Sequence, residues 1–286
     1  MTPLTRRTLL ATAIPAIVIR AIAIRAIATM LLSIVVFVAA LPGRLTAQEN
    51  YEIQVYPSKT ADKGVTLFEL HSNFTGVGRK LAIAGVIPTH HALHETVEIT
   101  HGVTEIFELG FYLFASANPG EGLQFVATHL RPRIRAPESW KLPVGLSLST
   151  EFGPTNRKFD ENEFGIELRP IVDQTLGRLY WAFNPNVEWA LKGPEAGRGA
   201  SGMTFNPNLK LGWMFGAKVQ AGVEYYGTTG SLSRFAPASE QTHMLYPSVD
   251  LFFSDDWEFN AGFGVLLAGD GDRSIFKLIL GRRMKW

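Results

Sequence analysis

After Gln48 the chain reads as a succession of long runs in which apolar and polar residues alternate, separated by turn-forming residues, with no helical period. Strict alternation is the signature of strands with two different faces. Twelve runs are expected, at about 65–74, 92–101, 103–114, 123–135, 140–152, 163–173, 178–191, 203–214, 217–228, 241–253, 256–268 and 274–286. Soluble strands usually hold about five or six residues, whereas a tilted strand needs about nine to eleven to cross a bilayer. The pattern therefore predicts an all-β fold, an antiparallel transmembrane β-barrel of about 12 strands. A soluble sandwich would also alternate. Strand length and the Trp and Tyr residues near run ends (Trp140, Trp189, Trp213, Trp257, Tyr225) argue against it.

The links carry a second periodicity. Short ones at 101–103, 136–139, 174–177, 215–216 and 254–255 interleave with longer ones at 75–91, 115–122, 153–162, 192–202 and 229–240; 269–273 is a short exception. Outer-membrane barrels have this asymmetry, with tight periplasmic turns and longer external loops. An outer membrane of a Gram-negative-type bacterium is the expected location.

Residues 1–47 are a different kind of sequence. Arg6, Arg7, Arg20 and Arg25 precede an apolar stretch from Met30 to Leu41, and Leu45-Thr46-Ala47 leads to Gln48. This reads as a secretory signal segment, with Met30 as an alternative start, although that start lacks a basic region. Thr5-Arg6-Arg7 faintly resembles a twin-arginine signal, and a retained membrane helix is the other reading. Residues 48–64 are expected to be a periplasmic lead-in or a plug, because a thirteenth strand would break the even count; the barrel occupies 65–286.

Composition removes several function classes. There are 27 basic and 26 acidic residues and no cysteine, so neither a nucleic-acid partner nor thiol chemistry is implied. No phosphate loop, dinucleotide fingerprint or Gly-x-Ser-x-Gly motif is present, and no catalytic residue, metal site or cofactor is assigned. His90, His91, His94 and Glu95 invite a metal reading, but neighbours on a strand point oppositely. A lipid-modifying enzyme, using His71 with Ser72 or a distant serine, is the least favoured alternative.

If the apolar parity faces lipid, the other parity lines a lumen containing Glu69, Glu98, Glu108, Glu151, Glu167, Glu188, Glu224, Asp250 and Glu258, together with Arg131, Arg133, Arg135, Arg169, Lys210 and Lys277. Mixed sign allows two readings. The charges either form a network that fills a structural or adhesive barrel, or they line a channel or facilitator for small solutes in which Arg131, Arg133 and Arg135 attract anions. Pro132, Pro170, Pro185, Pro207 and Pro247 recur within similar apolar-flanked hexapeptides. Proline donates nothing to a ladder, so bulges or ladder breaks are expected there, with side chains such as Asn184 or Asn206 meeting the freed carbonyls. The terminal run ends on Trp286, with Phe276, Leu278 and Leu280 on its parity and Arg282 as an exception. That parity resembles the C-terminal signal read by the barrel assembly machinery.

The stretch Glu95 to Gly110, with Ala136 to Trp140, Glu224 to Gly227 and Trp257 to Asn260, resembles uncharacterised bacterial outer-membrane barrels related to the phenol-degradation (MetA-pathway) transporter group. The resemblance runs loosely from about residue 52 to the end. It implies a barrel in contact with outer-membrane lipid that passes small, aromatic solutes, and it assigns no binding residue.

Overall fold

The computed structural model describes residues 50–285. The strands are β1 (Val65–Val77), β2 (Leu93–Gly102), β3 (Phe107–Asn118), β4 (Gly122–Arg135), β5 (Gly145–Pro154), β6 (Phe164–Leu176), β7 (Leu179–Lys192), β8 (Met203–Phe215), β9 (Val219–Thr228), a short hairpin of β10 (Gly230–Ser231) and β11 (Arg234–Phe235), then β12 (Thr242–Ser254), β13 (Trp257–Gly269) and β14 (Ser274–Lys285). Twelve long antiparallel strands close on themselves, with β14 paired to β1 from Val65↔Lys285 to Val77↔Ser274. Closure leaves no strand edge, which is what a membrane-embedded sheet requires. Among the described residues no helix is long and apolar enough to cross a membrane. The expected signal segment at 1–47 and Trp286 lie outside the described residues.

The two faces separate as alternation requires. Along β3, Leu109, Phe111 and Leu113 are exposed on the outside, while Glu108, Gly110 and Tyr112 are buried within. On β14, Phe276, Leu278 and Leu280 are outward and Ile275, Lys277 and Ile279 inward. Trp140, Trp213 and Trp257 cluster towards one end of the barrel, where Arg282 places its guanidinium 5.2 Å from the Trp257 ring. The Arg that interrupts the terminal parity thus sits on an interfacial aromatic.

Two boundaries differ from the sequence reading. The β2–β3 turn falls at 103–106, because Val103 and Thr104 donate backbone N–H groups to the Phe107 carbonyl, and β3 runs on to Asn118. The expected long link 115–122 therefore shrinks to 119–121. Glu138–Trp140 forms a 3-10 turn, so β5 begins at Gly145 and the link 136–144 is longer than expected at the otherwise short-turn end. Residues 229–240 fold into the small β10–β11 hairpin, which alternation over so few residues cannot signal.

At the prolines the expected ladder breaks are found on one side only, and no bulge accompanies them. Register continues without a shift through Pro185↔Pro207 between β7 and β8. Across β7's other side the bridges to β6 stop at Leu168↔Val187 and resume at Val172↔Phe183 in the same register. Pro132 pairs with Leu109 while the β4–β5 bridges lapse between Leu130↔Phe152 and Arg133↔Ser149. Pro247 pairs with Val223 while β12–β13 lapses between Leu245↔Val265 and Ser248↔Gly262. An antiparallel residue directs its N–H and C=O to one neighbour only, so proline costs pairing on that side and none on the other. Asn184 does not serve a proline carbonyl; it engages the internal segment described below.

Replacing outward Leu113 at mid-strand by Arg is expected to cost about 2–4 kcal/mol. Denaturant unfolding of the barrel in lipid vesicles measures it.

Candidate functional site

Residues 50–64 run from inside the barrel to its short-turn mouth, where Lys59, Asp62 and Lys63 are exposed. Asn50 donates to Asp272 at the end bearing the longer loops, 2.5 Å away, and Ser58 donates through Oγ and N–H to Asp173 near the opposite end, at 2.5 and 3.0 Å. An extended run of this length reaches roughly 45 Å, against about 30 Å of bilayer hydrocarbon. Ile53, Val55 and Tyr56 are almost wholly buried in the lumen. This segment is here called the strap.

The wall grips the strap largely by its main chain. Asn184 accepts from the Tyr56 N–H (2.7 Å) and donates to the Tyr56 carbonyl (3.1 Å), reproducing with a side chain the double bond of a strand pair. Lys277 donates to the Ile53 carbonyl (3.0 Å), Arg133 to the Pro57 and Lys59 carbonyls (3.1 Å each), and Thr96 to the Tyr51 carbonyl (2.8 Å). Glu108 accepts from the Ala61 N–H at 2.5 Å. Gly145 is required where the strap passes close, since a Cβ there would stand 2.1 Å from the Ser58 Oγ.

Of the fifteen charged residues nominated from sequence, ten are buried and five (Arg135, Glu167, Glu188, Asp250 and Glu258) are half-buried, and most are gathered into three clusters. In the first, Arg131 bridges Glu98 (2.5 Å) and Glu108 (2.9 Å), and Arg133 reaches Glu108 (2.7 Å). The Tyr56 ring of the strap lies 5.0 Å from the Arg131 guanidinium. In the second, Lys210 joins Glu224 (3.2 Å) to Asp250 (2.8 Å), and Lys277 closes on Glu224. In the third, Arg169 contacts Glu167 (2.6 Å), Glu52 of the strap (3.0 Å) and Glu151 (3.9 Å). Outside these groups, Arg135 pairs with exposed Glu138 and Glu258 with Arg283, both towards the short-turn end. Among the described residues Glu188 has no cationic partner within ion-pair distance. Glu69 lies within the first cluster's reach, its ligating atoms and those of His71 and Glu98 within 4.8 Å of one another, with His71 Nε2 3.4 Å from Glu98.

The Arg ladder is thereby spent. Arg131 and Arg133 are neutralised by carboxylates and strap carbonyls, which corrects the picture of a free anion-attracting row. The His71–Ser72 pairing is corrected too: His71 is buried inside while Ser72, one residue on, donates to Glu95 outside (2.7 Å). Glu52, Tyr56, Asp173 and Asn186 are contributors that sequence reasoning did not nominate, and Asn184 was nominated for a different partner. Asp173 and Asn184 carried the right parity within the proline hexapeptides, but their partner is a strap with no strand pattern of its own.

Two cavities flank the buried middle of the strap. One, of about 120 Å³, lies towards the longer loops between β5–β8 and the strap residues Glu52 and Gln54; the other, of about 450 Å³, lies by Ser58, Lys59, Asp173 and Tyr180. Asp160, in the loop after β5, lines the first. Burial pushes its carboxyl up to about 6, with Asn162 N–H donating to it at 2.7 Å.

No family model matches the chain, and no curated protein does. Among solved structures, the COG4313 outer membrane channel from Pseudomonas putida F1 superposes with a TM-score of 0.57 at 12% identity, covering 82% of this chain and 100% of that one. The KdgM porin in complex with disordered oligogalacturonate (TM-score 0.45, 9% identity, 76% and 98% covered) and the translocator domain of the autotransporter NalP from Neisseria meningitidis (TM-score 0.43, 13% identity, 79% and 90% covered) are looser matches that bear on nothing further.

Two predictions follow from this interior. Arg131→Ala strands two buried carboxylates and is expected to destabilise the barrel by about 3–5 kcal/mol; adding Glu98→Gln and Glu108→Gln restores much of that, as read by denaturant midpoints. Asp160 binds its proton more tightly folded than unfolded, so its contribution is fully present below about pH 4 and lost as pH rises through about 6. Hydrogen-exchange protection of residues 156–163, corrected for intrinsic rate, should fall between pH 4.5 and 7 and stay flat in Asp160→Asn. A closed twelve-stranded sheet, apolar outside and charged within, on the fold of an outer-membrane channel, makes this chain a transmembrane β-barrel of a Gram-negative-type outer membrane.

Proposed function

We propose that the protein is a channel for small solutes whose resting state is closed by the strap. The observation that carries this is the polar grip on residues 50–61. A filler that served stability alone is better made of apolar side chains, because replacing buried ion pairs by well-packed apolar groups is often neutral or stabilising. Here the filler is a separate segment, joined to the wall at β1 and held by hydrogen bonds that water can replace one by one, with only Ile53 and Val55 packed on an apolar patch of Tyr226, Met244, Tyr246 and Ile275. Cavities at both ends of the buried stretch give a solute somewhere to wait on either side.

Orientation follows from loop length, with the longer loops outside. On this reading residues 48–64 act as a plug rather than a lead-in, the outer face meets outer-membrane lipid, and β14 presents Phe276, Leu278 and Leu280 to the assembly machinery. The resemblance to the phenol-degradation transporter group supports small solutes in general; the paired state of Arg131 and Arg133 argues against selection for anions. The second reading, a structural barrel, draws support from the three charge clusters.

Deletion of residues 50–61 should raise conductance in planar bilayers several-fold, and Asn184→Ala, which removes both bonds to the Tyr56 main chain, should raise it to a lesser degree. Silence of both variants would leave the structural reading standing.

A further inference from the structure

The outer cavity contains an arrangement that a sheet does not adopt for stability. In register, Glu151 on β5 stands opposite Glu167 on β6, and Glu167 stands opposite Glu188 on β7. Like charges directly opposite one another destabilise a strand pair, and here three glutamates form one inward row. Glu52 of the strap joins them, and a single guanidinium, Arg169, serves Glu52, Glu151 and Glu167 together. Glu151 accepts from His129 (2.8 Å), and among the described residues no cation comes within ion-pair distance of Glu188, which is hydrogen-bonded to the Asn206 side chain.

The neighbouring amides add acceptors. Asn186, only 3% exposed, donates its amide hydrogen to Glu167 (3.0 Å), which leaves its Oδ1 as a buried oxygen with no partner; Gln54 Oε1 and Asn206 Oδ1, on residues that also line the cavity, are likewise buried and unpartnered. A buried oxygen without a donor is costly, and three of them around one cavity call for a ligand that brings N–H groups.

The geometry also limits which cation fits. Adjacent strands lie about 4.8 Å apart, so a row crossing three strands extends over roughly 10 Å. Among the described residues, only Glu69, His71 and Glu98 bring three ligating atoms within 4.8 Å of one another, and the glutamate row does not. One metal ion cannot draw on all three carboxylates at once. An aliphatic chain with an ammonium at each end can.

We propose that this cavity is an external binding site for aliphatic diammonium solutes, one ammonium held by Glu188 with the Asn206 oxygen and the other by Glu151, Asn186 Oδ1 and Gln54 Oε1. The proposal rests on the channel reading only in naming the solute, since binding is measured without passage. Putrescine is titrated calorimetrically into the full-length barrel in detergent, with 1,4-butanediol, succinate and Mg²⁺ as comparison probes. Putrescine should bind with 1:1 stoichiometry, and the diol and the dianion should not. Glu188→Gln should weaken putrescine about tenfold, a change of about 1.4 kcal/mol, while the barrel keeps its heat-modifiable gel mobility. Asn186→Asp, which replaces the amide hydrogens by a further acceptor, reports on misfolding if it loses that mobility and should tighten binding if it does not. Absence of putrescine binding, equal binding of the diol, Mg²⁺ displacing putrescine at equal concentration, or Glu188→Gln binding as well as the unaltered protein would each overturn the proposal. Conductance of the strap-released variants without putrescine binding would leave the channel reading intact; putrescine binding without conductance would do the reverse.

Discussion

The ladder between β1 and β14 is the bond on which the rest depends. In hydrocarbon no water meets an unpaired backbone group, so a sheet survives there only when its last strand pairs with its first. Closing at twelve strands divides every strand into a lipid face and a lumen face. Once the lipid face takes Leu109, Phe111, Leu113, Phe276, Leu278 and Leu280, the polar residues of those strands have one place to go. The lumen is charged as a consequence of closure.

A charged lumen must then be satisfied. Each ion deprived of water loses several kcal/mol of hydration, and the barrel meets this by clustering: Arg131 between Glu98 and Glu108, Lys210 and Lys277 on Glu224, Arg169 among Glu52, Glu151 and Glu167. The strap completes these clusters. It supplies main-chain carbonyls to Arg133, Lys277 and Thr96, a carboxylate to Arg169 and a ring beside Arg131. Closure of the lumen and stability of its polar side chains are therefore the same set of contacts. Moving the strap exchanges these polar partners for water and also parts Ile53 and Val55 from an apolar cluster with Ala182, Tyr226, Met244, Tyr246 and Ile275. The exception is the region around Glu188, where the strap contributes further acceptors and no cation.

Much of the fold was legible because the two-residue period of a strand is written directly into its side chains. All twelve long strands were placed, and the inward parity of Glu108, Ser149 and Asn260 could be read from their neighbours. Boundaries slipped where local backbone bonds outweighed alternation, at the Val103–Ile106 turn and at Glu138–Trp140. At the prolines the expected ladder breaks occur, but on one side only and without bulges, for a different reason. Whether a residue spends its N–H on the left or the right neighbour depends on the phase of the ladder, and hydrophobicity carries no record of that phase.

The sequence by itself determined that residues 65–285 form long two-faced strands and which side chains each face receives, because alternation is a local property. Only the tertiary structure decided what the inward charges do. Arg131, Arg133 and Arg135 look like a free cationic row along one strand, yet Glu98, Glu108 and the strap carbonyls claim the first two from across the lumen. Glu151, Glu167 and Glu188 look unrelated in sequence, yet register sets them side by side. Charge neutralisation and repulsion act through space over a few ångströms, so the partners, and with them the distinction between a sealed lumen and a cation-seeking cavity, exist only once the sheet has closed.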